Sequence, residues 1–408
     1  MIILLISILV IIDLYAYQAL DKLLGEGVLS KILRWGYWGF TIVTILFVLV
    51  FQFGGPEKFG PNVRGLMLLY FLGNYASKLA AIIFVFIDDG RRAVKWAKRA
   101  LTKKEPVHAD GEVISRSDFL MKSALVGASV PLASMGFGII SGAHDYRIKR
   151  QKLVLPNLPK SFDGITIGQI SDIHSGSFFN KTAVLGGVEM FMAEKPDLVF
   201  FTGDLVNNRA EEVKGYIDIF GRVKAPLGVY SILGNHDYGD YSRWPSLNAK
   251  RKNLEAVIQA HQLIGWDILL NENRIIERNG DKLAIIGNEN WGAGRFSKYG
   301  RLAEAYMGAE DADVKLLLSH DPSHWDAQVR TQYPDIDVMF AGHTHGFQFG
   351  VEIGDFKWSP AQYIYKQWAG LYSEGTQHLY VNRGFGYLAF PGRIGMPPEI
   401  TILELSRT

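Results

Sequence analysis

Five short blocks of residues carry most of the chemistry open to this chain. They are Asp172-Ile173-His174, Gly203-Asp204, Gly234-Asn235-His236-Asp237, Ser319-His320-Asp321 and Gly342-His343-Thr344-His345. Asp172, His174, Asp204, Asn235, His320, His343 and His345 offer carboxylate, amide and imidazole donors. That mixture, with no thiolate, suits Mn, Fe or Zn and does not choose among them. So many donors in one half of a chain predict a site for two divalent metal ions. A metal pair activates water and steadies the attacking and leaving oxygens of a displacement. The expected chemistry is therefore hydrolysis.

Such donors need strands to aim them. Each block follows a short apolar run, and the strand candidates are 165–170, 198–201, 229–233, 283–286, 315–318, 338–340 and 379–381. Helical patterns at 181–194, 211–222, 250–263 and 298–308 lie between several of them, and 400–405 reads as a closing strand. Short apolar strands bounded by turn residues fit an α/β domain whose sheet is covered on both faces. In such sheets ligands bind outside the carboxyl ends of strands. The Asp-x-His spacing sends Asp172 and His174 the same way, and Gly203 permits a tight turn beside Asp204.

The rest of the chain says where this domain works. At 408 residues the chain exceeds one ordinary domain. A net charge of +2 gives no case for nucleic acid. The absence of cysteine excludes disulfides, thiolate metal sites and a cysteine nucleophile. Mean hydropathy is +0.07, but the apolar runs are concentrated before residue 146. Residues 1–145 read as a membrane domain with about four transmembrane helices at 2–20, 35–53, 66–87 and 119–141. The fourth is the weakest, since it holds Lys122 and Pro131. Residues 146–162, basic and then punctuated by Pro156 and Pro159, read as a linker to a domain at 163–408. Asp13 and Lys78 are costly in hydrocarbon, and they are expected to pair inside the helix bundle.

Positive charge sets membrane orientation. Arg91, Arg92, Lys95, Lys98, Arg99, Lys103, Lys104 and Arg116 separate the third and fourth runs, and Lys22, Lys31 and Arg34 separate the first two. Only Lys58 and Arg64 lie between the second and third. With four spans in the cytoplasmic membrane, the soluble domain faces the periplasm or the exterior. If 119–141 does not cross, it faces the cytoplasm.

Taken in order, the five blocks resemble the calcineurin-like metallophosphoesterase superfamily over residues 163–405. Gly370-Leu371-Tyr372, Tyr380 to Gly386 and Pro397-Pro398-Glu399-Ile400 are similar to its membrane-anchored bacterial branch, related to UDP-2,3-diacylglucosamine hydrolases. The resemblance implies an α/β domain with central β-sheets flanked by helices. It implies that Asp172, His174, Asp204 and His345 hold one metal, and that Asp204, Asn235, His320 and His343 hold the second, with Asp204 bridging. His236 would be the catalytic acid, and a metal-bridging hydroxide would attack phosphorus. Asn235, Arg243 and Arg383 are candidates to touch phosphate. The partners so implied are the lipid bilayer and a phosphate-containing, lipid-linked or envelope substrate. Two alternatives stand beside this reading: a UDP-2,3-diacylglucosamine pyrophosphatase with a cytoplasmic site, and a non-catalytic sensor of a phosphorylated ligand. Asn207-Asn208 depart from the family, which often has an acidic residue there to orient the histidine acid. Phe347 stands where glycine is frequent. His108, His144, His261 and His378 read as ordinary core or surface residues, whereas His324 could join the site on a helical turn after His320. The aromatic stretches 238–244 and 356–368 read either as walls over the site or as packing.

Overall fold

Long apolar runs and short alternating ones separate into two compact units, Met1–Phe137 and Gly138–Thr408. The computed structural model describes residues 2–54, 61–102, 116–354 and 356–407. The helices of the N-terminal region are α1 (Ile2–Leu23), α2 (Val28–Leu49, continuing as a π-helical turn Val50–Gly54), α3 (Pro61–Thr102) and α4 (Arg116–Ile140). Among the described residues, four helical segments are long and apolar enough to cross a membrane: Ile2–Leu23, Val28–Phe53, Met67–Lys98 and Asp118–His144. The weak fourth run is thus helical throughout, Pro131 included. Leu4, Ile11, Ile42, Leu46, Ile83 and Phe86 point outward, as lipid-facing side chains do. Lys58, Lys103 and Lys104 lie outside the described residues.

The expected intramembrane pair is present. Lys78 Nζ stands 2.5 Å from Asp13 Oδ1, and both side chains are buried. Tyr75 donates to Asp13 Oδ2 at 3.2 Å, and Tyr37 donates to the Asp13 carbonyl at 2.7 Å. A charge pair is tolerable in a low-dielectric bundle only with such additional hydrogen bonds.

The second unit is built from β1 (Arg147–Val154), β2 (Thr166–Ile170), β3 (Leu198–Phe201), β4 (Val229–Ser231), β5 (Asp267–Ile268), β6 (Glu272–Arg278), β7 (Asp281–Gly287), β8 (Val314–Leu318), β9 (Val338–Ala341), β10 (Val351–Ile353), β11 (Phe356–Trp358), β12 (Gly370–Glu374), β13 (Gln377–Val381) and β14 (Glu399–Ser406). Two six-stranded sheets form, in the orders β1-β14-β2-β3-β4-β5 and β12-β13-β9-β8-β7-β6, with β10-β11 a separate hairpin. Side-chain alternation explains the layering. Leu198 and Phe200 of β3 enter the same core as Val314, Leu316, Val338 and Phe340 from the other sheet. Val199 and Phe201 face the opposite way, onto α5 (Lys181–Ala193) through Val188 and Phe191. Leu317 and Met339 do the same for the second sheet, against Trp325 and Val329. The result is a helix–sheet–sheet–helix sandwich, with the Phe200 and Phe340 rings 5.0 Å apart across the seam.

Several sequence expectations change here. Residues 147–154 are not linker but an edge strand paired in parallel with β14. The closing strand lies inside its sheet, antiparallel to β2. The pattern at 211–222 breaks at Gly215 into the turn Ala210–Val213 and α6 (Ile217–Phe220), because glycine weakens a short helix. α7 (Leu247–Ile264) outruns its expected limits, and only α8 (Leu302–Tyr306) remains of 298–308. β2, β3 and β4 run parallel, as do β7, β8 and β9. The donor-bearing loops thus leave strands of two facing sheets rather than one.

Replacing Lys78 with methionine strands the Asp13 carboxylate. Lys78→Met is expected to lower the unfolding free energy in detergent by about 3–5 kcal/mol. The double variant Asp13→Asn/Lys78→Met should recover part of that loss. A double variant that loses the full sum of the two single losses rejects the coupling.

Candidate metal centre

Five of the donor residues hold a backbone conformation that side chains resist. Asp172, His174, Asp204, His343 and His345 have φ of 50°, 47°, 62°, 72° and 52°. Left-handed positions of this kind cost on the order of 1–3 kcal/mol each and persist where the surroundings over-determine them. The buried Asp237 carboxylate supplies much of that determination. It accepts from the backbone N–H groups of Asp204, Leu205, Val206 and Gly234 at 2.9, 2.9, 3.1 and 2.9 Å. Burial, followed by the neighbouring Asp204 charge, pushes its pKa up to about 7. The donors themselves lock adjacent loops: Asp204 Oδ1 accepts from His236 N at 2.8 Å, and the Asp172 carboxylate accepts from His343 N at 3.0 Å. Gly342 has no room for a side chain, since a Cβ there would lie 2.0 Å from Ser171 Oγ and 2.2 Å from Asp172 Oδ2. Gly203, at φ 100°, turns the chain into Asp204, and its Cβ would meet Gly234 N at 2.6 Å.

The donors gather into two clusters among the described residues. Asp172, His174 and His345 each offer one ligand atom within 4.8 Å of the others, and so do Asp204, His320 and His343. Each cluster combines strand ends of both sheets. Asp204 Oδ2 lies 3.4 Å from His174 Nε2 and 3.2 Å from His320 Nε2, so one carboxylate reaches both groups. His345 Nε2 is 3.3 Å from Asp172 Oδ1. Asn235 Oδ1 is 2.8 Å from His343 Nδ1, and its amide donates to Tyr241 at 2.9 Å.

Whether these residues suit a cation is answered by their unused atoms. Nε2 of His174, His320 and His345 is buried in each case and makes no well-directed hydrogen bond among the described residues. The opposite ring nitrogens are engaged. His320 Nδ1 stands 2.7 Å from the Thr202 carbonyl and must carry the proton, because a carbonyl only accepts. His174 Nδ1 stands 3.1 Å from Asn207 Oδ1. Burial lowers the pKa of His174 to about 3 and of His343 to about 4, and holds His345 well below the usual imidazole range. Burial also opposes charge on His320, but Asp204 and Asp172 outweigh it and raise its pKa to about 10. Asp204 loses by burial yet is held well below the carboxylate range by His320, His236 and His174. Burial raises Asp172 to about 6. Neutral imidazoles at His174, His343 and His345 beside the Asp204 carboxylate are the state that divalent cations require, and at His320 a cation would take the place of the proton that Asp204 and Asp172 now favour, so the donor set fits them.

His236 lies beside these clusters, its ring 4.9 Å from that of His174 and 4.6 Å from that of Tyr241. Its Nδ1 stands 2.8 Å from the Asn207 carbonyl and so carries a proton. Asn207 therefore orients His174 with its side chain and His236 with its backbone. The expected carboxylate is displaced along the chain: Glu212 accepts from Asn207 N at 2.5 Å and from Arg209 N at 3.1 Å, steadying that loop. Sequence reasoning missed Asn207, Glu212 and Asp237 as supports, although Asp237 stands inside the Gly-Asn-His-Asp block itself.

The other candidates sort clearly. Arg383 is buried and committed to Glu399 at 2.5 Å and Glu352 at 2.7 Å, so its guanidinium is not offered to a phosphate. A further missed residue is Arg393. It is buried, lies 3.2 Å from His345 Nδ1, and gives its N–H groups to the carbonyls of Arg383, Gly384, Gly386 and Met396. Arg243 is exposed, beside Trp244. His324 does enter a helical turn, yet it bonds Ser319 and Gln328 and joins neither cluster. Residues 356–368 divide: Tyr365 OH lies 2.8 Å from His343 Nε2, while Trp368 is buried in packing. A cleft of about 780 Å³ opens here, walled by Phe296, Phe347, Ile364 and Tyr365 with Arg295 and Asp321. Phe296 meets the His343 ring edge-on at 4.9 Å.

Known proteins are similar to this chain in both of its parts. Residues 165–347 match the family "Calcineurin-like phosphoesterase", and residues 1–143 match "Probable Calcineurin-like phosphoesterase, transmembrane domain". The metallophosphoesterase YkuE of Bacillus subtilis is 29% identical over 303 residues, covering 72% of this chain and 99% of its own length. The phosphodiesterase YaeI of Escherichia coli is 24% identical, covering 72% and 100%. A zebrafish (Danio rerio) transmembrane protein with a metallophosphoesterase domain is 29% identical, covering 66% and 60%. Among solved structures, the sulfate thiohydrolase SoxB of Thermus thermophilus aligns over 61% of this chain and 57% of its own, at 13% identity and a TM-score of 0.35.

Asp237 offers a test that leaves every donor atom in place. Asp237→Ala releases four backbone N–H groups around Asp204. It is expected to weaken Mn binding about 10–100-fold, the usual effect of losing an outer support. Calorimetric titration of the purified chain measures this, and unchanged affinity removes Asp237 from the centre.

Proposed function

We propose that this chain, which belongs to the calcineurin-like phosphoesterases and carries their membrane domain, hydrolyses a phosphoester or pyrophosphate at a centre of two divalent metal ions. The observation that carries this is the Asp204 carboxylate standing between Nε2 of His174 and Nε2 of His320, buried atoms with no well-directed hydrogen bond among the described residues. Asp172, His174, Asp204 and His345 would hold one ion, and Asp204, Asn235, His320 and His343 the other, the ions being Mn, Fe or Zn. Bound there, such ions supply Lewis acidity and a water nucleophile active near neutral pH.

The protein's own part is orientation and proton transfer. With Nδ1 fixed on the Asn207 carbonyl, His236 exchanges its proton at Nε2, and this proton goes to the leaving oxygen. The cleft beside His343 has apolar and aromatic walls with Arg295 at its rim. A chain with four candidate membrane helices meets amphiphilic substrates readily, so a lipid-linked or envelope phosphate compound suits this cleft better than a free nucleotide. The charge asymmetry between the helices favours an integral cytoplasmic-membrane protein with its catalytic domain in the periplasm or outside the cell.

Two variants separate the roles. With Mn and a chromogenic phosphodiester, His236→Ala is expected to keep both metals and slow turnover about 10²–10⁴-fold. Asp204→Asn should lose at least one metal by elemental analysis, and two retained metals remove its bridging role. No turnover by the metal-loaded native chain would favour a ligand sensor instead. Orientation is read separately. A reporter enzyme that works only outside the cytoplasm, fused after residue 150, is expected to be active. Inactivity there, with a cytoplasmic reporter active at the same junction, reverses the assignment.

A further inference from the structure

The β10–β11 hairpin wears its amphipathicity inside out. Val351 pairs with Trp358, Glu352 with Lys357 and Ile353 with Phe356. Cross-strand partners and every second residue share a face, so Val351, Ile353, Phe356 and Trp358 form one side and Glu352 with Lys357 the other. On the polar side Glu352 is half-buried against the domain, and Lys357, itself exposed, reaches back to the domain. Glu352 accepts from Lys149 at 3.0 Å and from Arg383 at 2.7 Å, and Lys357 donates to the Ala369 carbonyl at 3.2 Å. The apolar side is turned out, with Val351 40%, Ile353 73% and Phe356 63% exposed. A hairpin built to face water does the reverse.

The apolar surface continues beyond the hairpin. Phe349 packs edge-on against Trp358 at 6.2 Å, and Trp358 Nε1 donates to Tyr363 OH at 3.3 Å. Tyr363 and Ile364 are exposed, and Ile364 and Phe347 also wall the cleft beside His343. Isolated exposed apolar residues need no explanation, but a joined set on one face marks an interaction surface.

We propose that this face docks on the lipid bilayer, with Ile353 and Phe356 inserted below the headgroups and Trp358 and Tyr363 at their level. The order along the hairpin carries the choice of partner. Aliphatic and phenyl side chains sit next to the turn, while Trp and Tyr, each with a polar tip, sit at the base, as they do in interfacial elements. The chain's own candidate membrane helices are covalently joined to this domain, so a bilayer is always within reach of it. Docking gives an amphiphile a path from the membrane along Phe347 and Ile364 to the donors. That use as a substrate entrance rests on the lipid-linked reading above, whereas the docking does not.

The absence of cysteine makes the test direct. In the full chain reconstituted in vesicles of phosphatidylethanolamine and phosphatidylglycerol, single cysteines at Ile353, Phe356 and, as a control, the exposed Leu247 carry an environment-sensitive fluorophore. Labels at 353 and 356 are expected to be quenched several-fold more by lipid-borne nitroxides than the label at 247, and to be shielded from aqueous iodide. Equal iodide quenching at all three positions overturns the proposal. Shielding that vanishes when the protein is diluted to one copy per vesicle also overturns it, pointing to a second copy of the chain as the occupant. A separate arm tests the entrance. Ile353→Ser/Phe356→Ser should keep turnover of a soluble chromogenic phosphodiester within about 2-fold and lose about 10-fold or more on a phospholipid presented in vesicles. Equal effects on both substrates, with the quenching pattern intact, reject the entrance and leave the docking standing.

Discussion

At φ values between 47° and 72°, the backbone of five donor residues is crowded by its own side chains. Asp and His enter this region more readily than most residues, but that preference is too weak to hold two Asp and three His there together. What keeps them is a mesh of hydrogen bonds in which carboxylates accept from loops far along the chain. Asp237 gathers the turn after β3 onto the turn after β4, and Asp172 gathers the turn after β9 onto that after β2. The carboxylates are therefore frame and function at once, and the geometry of the centre depends on their remaining ionised and buried.

The sandwich makes this mesh possible. Parallel strands in each sheet send their carboxyl ends the same way, and the packed core between the sheets fixes how those ends face each other. Neither sheet supplies a complete cluster: Asp172 and His174 from one need His345 from the other, and Asp204 needs His320 and His343. The glycines at 203 and 342 let these loops approach within a distance that a methyl group would forbid.

Much of this was legible in the sequence. The strands that carry donors are short, apolar and bounded by turn residues, so their period and their ligand-bearing ends read locally. The apolar runs before residue 146 read by length alone. What escaped has its cause at long range. Residues 147–154 form a strand only because residues 399–406 lie beside them, and nothing near 147 signals that. Arg383 has the charge for a phosphate contact, but Glu352 and Glu399 claim it in the fold. Asn207 looked like a missing acid because its orienting group is a backbone carbonyl, which no side-chain type announces. Arg393 escaped for the same reason, being held almost entirely by carbonyls.

A centre divided between two sheets also acts as a fastener. A cation gripped by His345 together with Asp172 would join the loop after β9 in one sheet to the loop after β2 in the other. Binding to the folded state alone raises stability by mass action, and here that gain cannot be confined to a loop, since opening either sheet dissolves both clusters. Metal supply and the persistence of the whole sandwich become one thermodynamic quantity. Removing ions from such a centre would lower the stability of the sandwich as well as empty the site.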